Sequence, residues 1–367
     1  MIRTFRYPLH PTSAQEVVLT SWLSSCCMLY NGALEERREA WRKQQVSITY
    51  YVQQKELTEL RTTYPEWTIV PVWVARSALV RLDRAMKSFF RRVKQGQTPG
   101  FPRFRSCDRY DTFDLGSNPA RVDGEYVRLP KIGLVKLHKY REMRGEVRHV
   151  SVSRTVRGWS ISFVCDLGAA PKKIPVSNSV GVDVGLEAFA TLSNGERIIN
   201  PKFFRTSEDT LARRQASLAR KKRGSNGRLA AKRLVARIHE RVRNQRLDFA
   251  RKLAVALFDR FDLIVHEDLT ISCMAHGNLA KSIYDASWGV FLRCLALKAE
   301  EAGRHVIAVD PRGTSQTCPV CGTVAAKPLE QREHRCACGF VAHRDHAAAL
   351  CVLGRGLRLG LLTEAEK

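Results

Sequence analysis

Three acidic residues lie where a carboxylate is costly, and they are the clearest chemical signal in the sequence. Asp183 interrupts the strand-like run GVDVG, Glu267 ends the apolar run LIVHE, and Asp345 opens the helical pattern RDHAAALCVL. Strands are poor in Asp because a short charged side chain fits a half-buried pleated surface badly. A bound divalent cation would compensate the charge of such a carboxylate. Oxygen ligands favour Mg²⁺ or Mn²⁺, and two such ions about 4 Å apart can activate water against a phosphodiester.

Each of these acids also has an ordinary structural interpretation. A strand Asp commonly serves a turn or a cap, and Asp345 at a helix start could accept hydrogen bonds from free amides. Glu267 could pair with one of the many arginines of the chain. The spacing of the three residues alone therefore leaves both a metal site and three separate structural roles open.

Two cysteine pairs near the C-terminal end have the spacing of a metal site. The motifs CPVC and CAC, fourteen residues apart, contain Cys318, Cys321, Cys336 and Cys338. This interval is close to that of a four-thiolate Zn²⁺ site, and thiols in a reducing cell bind metal rather than one another. The alternatives are replacement of one thiolate by His334 or His343, and loss of zinc by degeneration. The scattered cysteines are expected to be small core residues; they include Cys26, Cys107, Cys165, Cys273 and Cys294.

The charge balance indicates a polyanionic partner. The 367 residues include 61 Lys and Arg against 36 Asp and Glu, a formal net charge of +25. Such a surplus favours nucleic acid as the partner. An anionic membrane is the alternative, but we see no lipidation motif and no apolar run of about 18 residues. The start, MIRTFRYPLHPT, lacks the apolar core of a secretory signal, so we expect a cytoplasmic protein that binds neither a membrane nor a small-molecule substrate.

The positive charge is concentrated between residues 205 and 260. This segment contains 17 Lys and Arg against 5 Asp and Glu. An apolar stripe at helical spacing is predicted to face the core, and it comprises Leu234, Ile238, Val242, Phe249, Leu253 and Leu257. The other helix faces are then free for phosphate contacts. A glycine-containing loop within the segment contains four candidate nucleic-acid-binding residues, Arg220, Lys221, Lys222 and Arg223.

The hydrophobic pattern divides the chain into two parts. Residues 2–9 alternate like a strand, residues from about 12 to 96 show helical spacing, and short alternating runs fill 111–167. This order predicts a small β barrel or sandwich with a helical insertion. The polar, aperiodic segment at 168–179 indicates a domain boundary. Three strands follow, with a hairpin at Asn194-Gly195, and then helices and strands alternate, which is typical of an α/β domain with a mixed sheet.

Five segments, in order, resemble a known family. They are RLDRAMKSFFRRVKQGQTPGFPRF, GVDVGLEAFATLSNG, IVHEDLT, TSQTCPVCG and RDHAAALCVL. Together they resemble the TnpB (OrfB) proteins of insertion sequences, which are related to type V CRISPR effector nucleases. The resemblance implies an RNA-guided DNA endonuclease with an RNase H-like (RuvC) core, whose guide RNA comes from the transposon end. It also implies metal ligands on the first strand, the fourth strand and the last helix of that core, at Asp183, Glu267 and Asp345.

The resemblance also predicts a domain arrangement. A β-barrel wedge domain is expected at residues 1–10 and 106–170, with a helical recognition insertion at 11–105. The α/β nuclease core is expected at 178–314 and 343–367, and a zinc-ribbon insert at 315–342. In the resembling enzymes the insertion and wedge read a short motif in the duplex beside the target. Four polar or aromatic residues of the insertion are candidates to face base edges, namely Tyr50, Gln53, Gln54 and Arg76. The alternative for each is that it is an ordinary surface residue.

The sequence departs from the family pattern near the last helix. Ala347 and Cys351 replace residues that are usually Asn, and His343 stands where an acid is common. The second cysteine pair is also one residue closer than usual. These changes leave the carboxylates in place, and we expect them to alter how tightly the last helix is held, so the sequence predicts the reaction type better than the rate or the metal preference.

Other functions remain to be weighed against the guided endonuclease. A nuclease-dead, RNA-guided DNA-binding repressor would first lose the three acids, which are present. A guide-free, structure-selective nuclease would leave the N-terminal half without a task. A DNA-joining transposase of the single-strand type needs two His one residue apart and a nucleophilic Tyr, and none of the 10 His has that spacing.

Overall fold

The chain is described by a computed structural model that covers residues 1–116, 120–326, 328 and 331–365, without the side chains of 360–365. It divides into two compact units, Met1–Ala169 and Ala170–Lys367. The division falls within the polar segment at 168–179. Of the predicted domain ranges, residues 117–119 of the wedge, 327 and 329–330 of the zinc-ribbon insert and 366–367 of the nuclease core lie outside the described residues.

The first unit combines helices with an antiparallel sheet. It begins with β1 (Ile2–His10), followed by the helices α1 (Ser13–Gln44), α2 (Tyr50–Thr63) and α3 (Val72–Lys94). The strands that follow are β2 (Thr112–Gly116), β3 (Arg121–Asp123), β4 (Tyr126–Leu129), β5 (Gly133–Leu137), β6 (Glu146–Thr155) and β7 (Gly158–Asp166).

The strands of this unit form one sheet in the order β2-β6-β7-β1-β5-β4-β3. Neighbouring strands are antiparallel throughout. Along β1 the side chains alternate, with Phe5, Tyr7 and Leu9 buried against the core. The sheet order begins with β2 and ends with β3, and within the described ranges these two strands are not paired. The structure therefore supports a sheet here, and closure into a barrel stays a prediction.

Helix α1 provides much of the core of the first unit. It begins at a capping box in which Thr12 and Gln15 exchange hydrogen bonds between side chain and backbone. The predicted apolar face is fully buried, and it comprises Leu19, Leu23, Cys26, Tyr30 and Leu34.

The expectation that the sequence has no apolar run of membrane-spanning length was wrong for this helix. An 18-residue window within Ser13–Gln44 has a mean hydropathy of 1.3, which meets the length and composition of a membrane span. The buried side chains of α1 pack in the core of the first unit. Core packing therefore accounts for its composition, because a buried helix needs apolar residues as a spanning helix does.

The second unit contains a mixed sheet covered by helices. Its first half comprises β8 (Ser179–Val184), β9 (Ala188–Leu192), β10 (Arg197–Ile199), α4 (Phe203–Ala219), α5 (Asn226–Phe258) and β11 (Leu263–Glu267). Its second half comprises α6 (Ile271–Met274), α7 (Ala280–Ala286), α8 (Trp288–Ala302), β12 (His305–Val309), β13 (Glu333–Arg335), β14 (Val341–His343) and α9 (Arg344–Ala365).

The sheet of the second unit has the order β10-β9-β8-β11-β12. Strands β8, β9 and β10 form an antiparallel meander, and β11 is parallel to both β8 and β12. The hairpin predicted at Asn194-Gly195 is present, with Gly195 at a φ of 88°. Strands β13 and β14 form a separate two-stranded ribbon between β12 and α9.

Helix α9 lies against the sheet through positions that have no side chain. A Cβ added at Gly181 of β8 would stand 2.1 Å from the carbonyl oxygen of Ala349. A Cβ added at Gly356 would stand 2.4 Å from the Val265 side chain of β11. The two glycines therefore allow the last helix to approach the strands that carry two of the candidate acids.

The predicted apolar stripe of α5 is only partly correct. Val242 and Leu257 are buried, whereas Leu234 is 39% exposed. The buried face instead includes the small residues Ala250 and Ala254. Small side chains let α5 pack closely on its neighbours, so burial on this helix does not follow residue hydrophobicity alone.

Candidate active site and metal centre

Strands β8 and β11 bring the first two candidate acids to the same edge of the sheet. The strands are parallel, and Val182 lies opposite His266 in the register. Asp183 and Glu267 are the next residues of the two strands, so they follow in the same register. Neighbouring strands are about 4.8 Å apart, and side chains in register project from the same face.

The third acid comes from the first turn of α9. Asp345 is the second residue of this helix, and its side chain is 17% exposed. Its backbone amide donates to Nδ1 of His343 at 3.3 Å. The packing of α9 over β8 and β11 brings this carboxylate close enough to Asp183 for the two charges to interact.

The charges of the other two acids act on Asp183. The pKa of Asp183 is raised well above its usual value, first by burial and then by the charges of Glu267 and Asp345. The pKa of Glu267 is also raised by burial. Like charges that repel in a poorly solvated site are relieved by a cation, and an all-oxygen donor set suits a hard divalent ion.

The carboxylates are less tightly clustered than the thiols described below. Among the described residues, four cysteines form the group in which all candidate ligand atoms lie within 4.8 Å of one another. The oxygens of Asp183, Glu267 and Asp345 do not meet that limit together.

Glu267 is held by a residue that the sequence did not single out. The hydroxyl of Thr314, a buried residue, donates to Glu267 Oε1 at 2.5 Å. Arg355 of α9 donates to the carbonyl oxygens of Asp310 at 2.6 Å and of Arg312 at 2.8 Å. It therefore fixes the loop that carries Thr314, and its charge also lowers the pKa of Glu267.

The four predicted metal-binding cysteines converge in the ribbon between β12 and α9. The Sγ atoms of Cys318 and Cys338 are 3.6 Å apart, and those of Cys321 and Cys336 are 3.4 Å apart. A disulfide would need about 2.05 Å. A tetrahedral site with Zn–S bonds of about 2.3 Å has sulfur–sulfur edges of about 3.8 Å. The thiols are therefore spaced for a shared metal ion, and the structure records them as free.

Local hydrogen bonds shift the pKa values of the ribbon thiols in opposite directions: bonding with the neighbouring thiols raises the pKa of Cys338 to about 12. Hydrogen bonding to Thr323 lowers the pKa of Cys321 to about 6. His334 is buried with its ring against Phe340, and His343 contacts Asp345, so neither belongs to the group of four ligands. The tighter C-x-C pair therefore still contributes both of its sulfurs.

Two of the scattered cysteines were predicted wrongly to be core residues. Cys107 and Cys273 are exposed, whereas Cys26, Cys165 and Cys294 are buried. Cys107 lies in a single short turn before β2, and Cys273 lies in the four-residue helix α6. Such short elements have too little surface contact to bury a side chain.

The departures of α9 from the family pattern lie at buried positions. Ala347 is 1% exposed and Cys351 is 8% exposed. The Cys351 thiol donates to the carbonyl oxygen of Thr317 at 3.2 Å. It thereby links α9 to the residue before Cys318, so one of the substituted positions still makes a polar contact.

One of the residues proposed to read DNA was assigned wrongly. Gln53 is 3% exposed, and its side chain is bonded to Arg37, Glu36 and the carbonyl oxygen of Ala33. These bonds join α2 to α1. A side chain saturated in this way inside a helix interface cannot reach a base edge.

The other three candidates of the insertion are partly exposed. Tyr50 packs against the core, while its neighbour Tyr51 is 79% exposed. Gln54 is partly buried, and so is Arg76, whose Nε has no hydrogen-bond partner among the described residues. Their role in reading DNA stays a prediction.

The four cations of the glycine-containing loop are exposed between α4 and α5. They are Arg220, Lys221, Lys222 and Arg223. Ser225 caps the start of α5, and Arg228 donates to the carbonyl oxygens of Leu218 and Lys221. These backbone contacts hold the loop, so its charges are directed to solvent.

Three protein-family models together match most of the chain. A family model described as "Probable transposase" matches residues 162–277, and a model of the Cas12f1-like TNB domain matches 288–352. A model described as a helix-turn-helix domain matches residues 1–45, which in this structure contain β1 and the long helix α1.

Similar proteins extend over nearly the whole chain. A Streptomyces pristinaespiralis protein named as an RNA-guided DNA endonuclease is 33% identical, over 97% of this chain and 89% of its own length. Escherichia coli InsQ, named likewise, is 31% identical over 97% and 92%. The CRISPR-associated endodeoxyribonuclease Cas12f1 of Sulfoacidibacillus thermotolerans is 25% identical over 67% and 64%.

A solved structure shares the fold. A chain of the cryo-EM structure of a Cas12f1–sgRNA–target DNA complex aligns with a TM-score of 0.59 over 93% of this chain and 83% of that chain. The sequence identity is 14%, so the likeness concerns the fold. The predicted α/β core with a cysteine-rich insert is confirmed at this level.

Proposed function

The chain belongs to the TnpB (OrfB) family of insertion-sequence RNA-guided DNA endonucleases, and on that premise we propose that it binds a guide RNA and hydrolyses a matching DNA target. The relatives that carry this name match it over nearly its full length. The guide selects the target by base pairing, and the protein holds the backbones through its large positive charge.

The observation that carries the proposal is that the fold brings two further acids close enough to act on the buried carboxylate of Asp183. Asp183, Glu267 and Asp345 come from β8, β11 and α9, and the first has a raised pKa partly because of the other two. A buried acid whose charge is opposed by two neighbouring acids is typical of a catalytic cation site.

The three carboxylates would hold Mg²⁺ or Mn²⁺. Bound ions of this kind activate water and stabilise the leaving oxygen of a phosphodiester. Asp183 and Glu267 are presented by adjacent parallel strands, and Thr314 orients Glu267 through its hydroxyl. Gly181 leaves room for α9, which carries Asp345. Thr314 would thus orient a metal ligand, and Gly181 would allow the helix that carries another ligand to stay in place.

Zn²⁺ would be held by the thiols of the ribbon. Four sulfurs with short mutual distances and no open position are typical of a structural site. The ion would fix β13, β14 and the loop before them, which have few other buried side chains. It would therefore contribute to folding rather than to hydrolysis.

The two units would divide recognition and cleavage. We propose that the first unit acts as the wedge, with α1–α3 as the recognition insertion, and that Tyr50, Gln54 and Arg76 contact DNA. The exposed cations Arg220 to Arg223 would contact phosphates. The enzyme would work in the bacterial cytoplasm, associated with nucleoid DNA when bound to its target.

The test compares the parent protein with Asp183→Ala on a plasmid that matches the guide. Cleavage should fall by at least about 10³-fold, the scale for removal of a central catalytic group, with DNA binding retained. Asp248→Ala is the matched control, because Asp248 is an exposed helix acid that pairs with Lys252 at 2.8 Å. Equal cutting by the parent and Asp183→Ala would refute the assigned site.

The guided function has a separate test. RNA that copurifies with the protein from cells should be sequenced, and a protein that emerges free of RNA would refute guidance and favour the guide-free nuclease. A parent protein that binds RNA and target but never cuts, with either metal supplied, would favour the repressor.

A further inference from the structure

An exposed aromatic surface lies at the end of α3 and in the loop that follows it. Phe90 is 58% exposed, Phe101 is 42% exposed and Phe104 is 48% exposed. Arg92 and Arg103 are exposed within the same segment. We refer to these five residues as the aromatic–basic patch. Three large apolar rings in contact with water are costly, so the patch calls for a partner.

Two of the rings are joined through a third aromatic ring, and the Phe104 ring is held by a cation. Phe89 lies between two of them, with ring centroids 5.1 Å from Phe90 and 5.3 Å from Phe101, edge to face in both cases. The guanidinium of Arg38 stands 5.9 Å from the centre of the Phe104 ring. The surface is therefore formed before any partner binds.

The loop of the patch is fixed to α1 by its backbone. The Asn31 side chain accepts from the amide of Arg105 at 2.9 Å and donates to its carbonyl oxygen at 2.8 Å. The Cys27 thiol donates to the same carbonyl oxygen at 3.3 Å. This two-way contact orients the residues just before it, including Phe104, so little ordering entropy is lost on binding.

The charge of the segment selects the class of partner. Residues 84–109 contain eight Lys and Arg against one Asp. In the described part of the chain, neither Arg92 nor Arg103 takes part in an ion pair. Exposed rings between unpaired cations match a ligand that combines flat apolar faces with phosphates, which is an unpaired nucleotide.

We propose that the aromatic–basic patch binds an unpaired segment of the guide RNA, with bases stacked on Phe101 and Phe104 and phosphates held by Arg92 and Arg103. The proposal rests on the guide-binding function above. Duplex DNA hides its base faces inside the stack, and a lipid surface offers no flat rings. The guide remains bound before, during and after target pairing, so a preformed surface serves it throughout.

The experiment measures binding of the full-length protein to its copurified guide RNA over a series of salt concentrations. Phe101→Leu/Phe104→Leu keeps apolar side chains but removes the aromatic faces. Its RNA affinity should fall about tenfold or more, with an unchanged slope of log K against log salt. Arg92→Gln/Arg103→Gln should instead make that slope shallower by about 0.7 for each phosphate that the protein no longer neutralises.

Tyr126→Leu is the matched control, because Tyr126 of β4 is 44% exposed and lies outside the patch. Thermal unfolding shows whether each variant is folded. If the double variant is destabilised, RNA binding by Phe104→Leu alone tests the proposal, because Phe104 takes no part in the ring contacts of Phe89. RNA affinity equal to that of the parent would overturn the proposal while leaving the guided function standing. Weaker binding of single-stranded DNA alone would show that the occupant is not the guide. A parent that binds no RNA would remove both proposals.

Discussion

Glu267 receives a hydrogen bond from the Thr314 hydroxyl at one of its carboxylate oxygens. The two residues are 47 positions apart, and their Oγ1 and Oε1 atoms are 2.5 Å apart. Such outer contacts commonly set metal affinity, because they fix the direction in which a ligand points. Thr314 is therefore expected to act as a positioning residue.

Thr314→Val removes the hydroxyl with little change of shape. We expect the affinity for Mn²⁺ to fall about 10- to 100-fold, because Glu267 loses its orienting donor. Calorimetric titration of Mn²⁺ measures this directly, beside the cleavage rate. Thr314→Ser retains the hydroxyl and should restore both. Unchanged Mn²⁺ affinity in the valine variant would show that the contact is structural only.

At the residue scale, chemistry that depends on residue type was predictable, whereas the burial of a polar side chain was not. The CPVC and CAC spacing predicted that four thiols would meet, and they do. Gln53 was proposed to read bases from its polarity, but it is 3% exposed and bonds across two helices. Polarity alone cannot distinguish a side chain that faces water from one that satisfies a buried interface.

The contact between α9 and the sheet depends on the absence of a side chain at Gly181. An added Cβ would stand 2.1 Å from the Ala349 carbonyl oxygen, so either the helix or the strand must move. That shift would displace Asp345 relative to Asp183. A change in packing between these elements should therefore affect stability and activity together.

Gly181→Ala should lower the free energy of unfolding by at least about 1–3 kcal/mol, the usual cost of overpacking. Chemical denaturation measures the loss. Gly354→Ala, on the opposing helix, is the control, because a Cβ there meets nothing within 4 Å. Alanine should stabilise that helix position by about 0.5–1 kcal/mol. Similar stability of the two variants would contradict the close approach of α9.

Cys318→Ser tests the ribbon as a metal-dependent element. Removing one sulfur of the four should release most of the bound zinc and lower the melting temperature, because the ion supplies folding free energy. Metal content of the purified protein is the measurement. Cys273→Ser is the control, since Cys273 is exposed and lies outside the cluster. Full zinc retention in Cys318→Ser would exclude that ligand.

At the scale of the whole molecule, a net charge of +25 makes polyanion binding dependent on salt. Not all cations contribute equally, because those already paired with carboxylates release few counterions. The loop of Arg220, Lys221, Lys222 and Arg223 is exposed, and no ion pair engages it within the described ranges. It should therefore account for part of the salt dependence.

Replacing the four loop cations by Gln should weaken guide RNA binding and make the slope of log K against log salt shallower by about 0.7 for each phosphate that is no longer neutralised. Fluorescence anisotropy with labelled RNA measures both. Arg42→Gln/Lys43→Gln is the control, because these cations pair with Glu39 at 2.7 and 3.4 Å. An equal change of slope in the loop variant and the control would show that the loop makes no specific contribution.

The sequence by itself determined those properties that depend on local spacing and residue type. The hairpin at Asn194-Gly195, the buried stripe of α1, the cysteine pairs and the positive charge all follow from residues close together in the chain. Backbone preferences and periodicity act over a few residues, so their signals survive without knowledge of the fold.

Only the tertiary structure decided which distant residues meet. Packing between separate elements determines the hydrogen bond of Thr314 to Glu267, the close contact of α9 with Gly181 and the exposure of Leu234 on α5. The exposure of the Phe90, Phe101 and Phe104 rings is likewise a result of the fold. Burial is a property of neighbours brought together by the whole fold, and a residue's own hydrophobicity does not specify those neighbours.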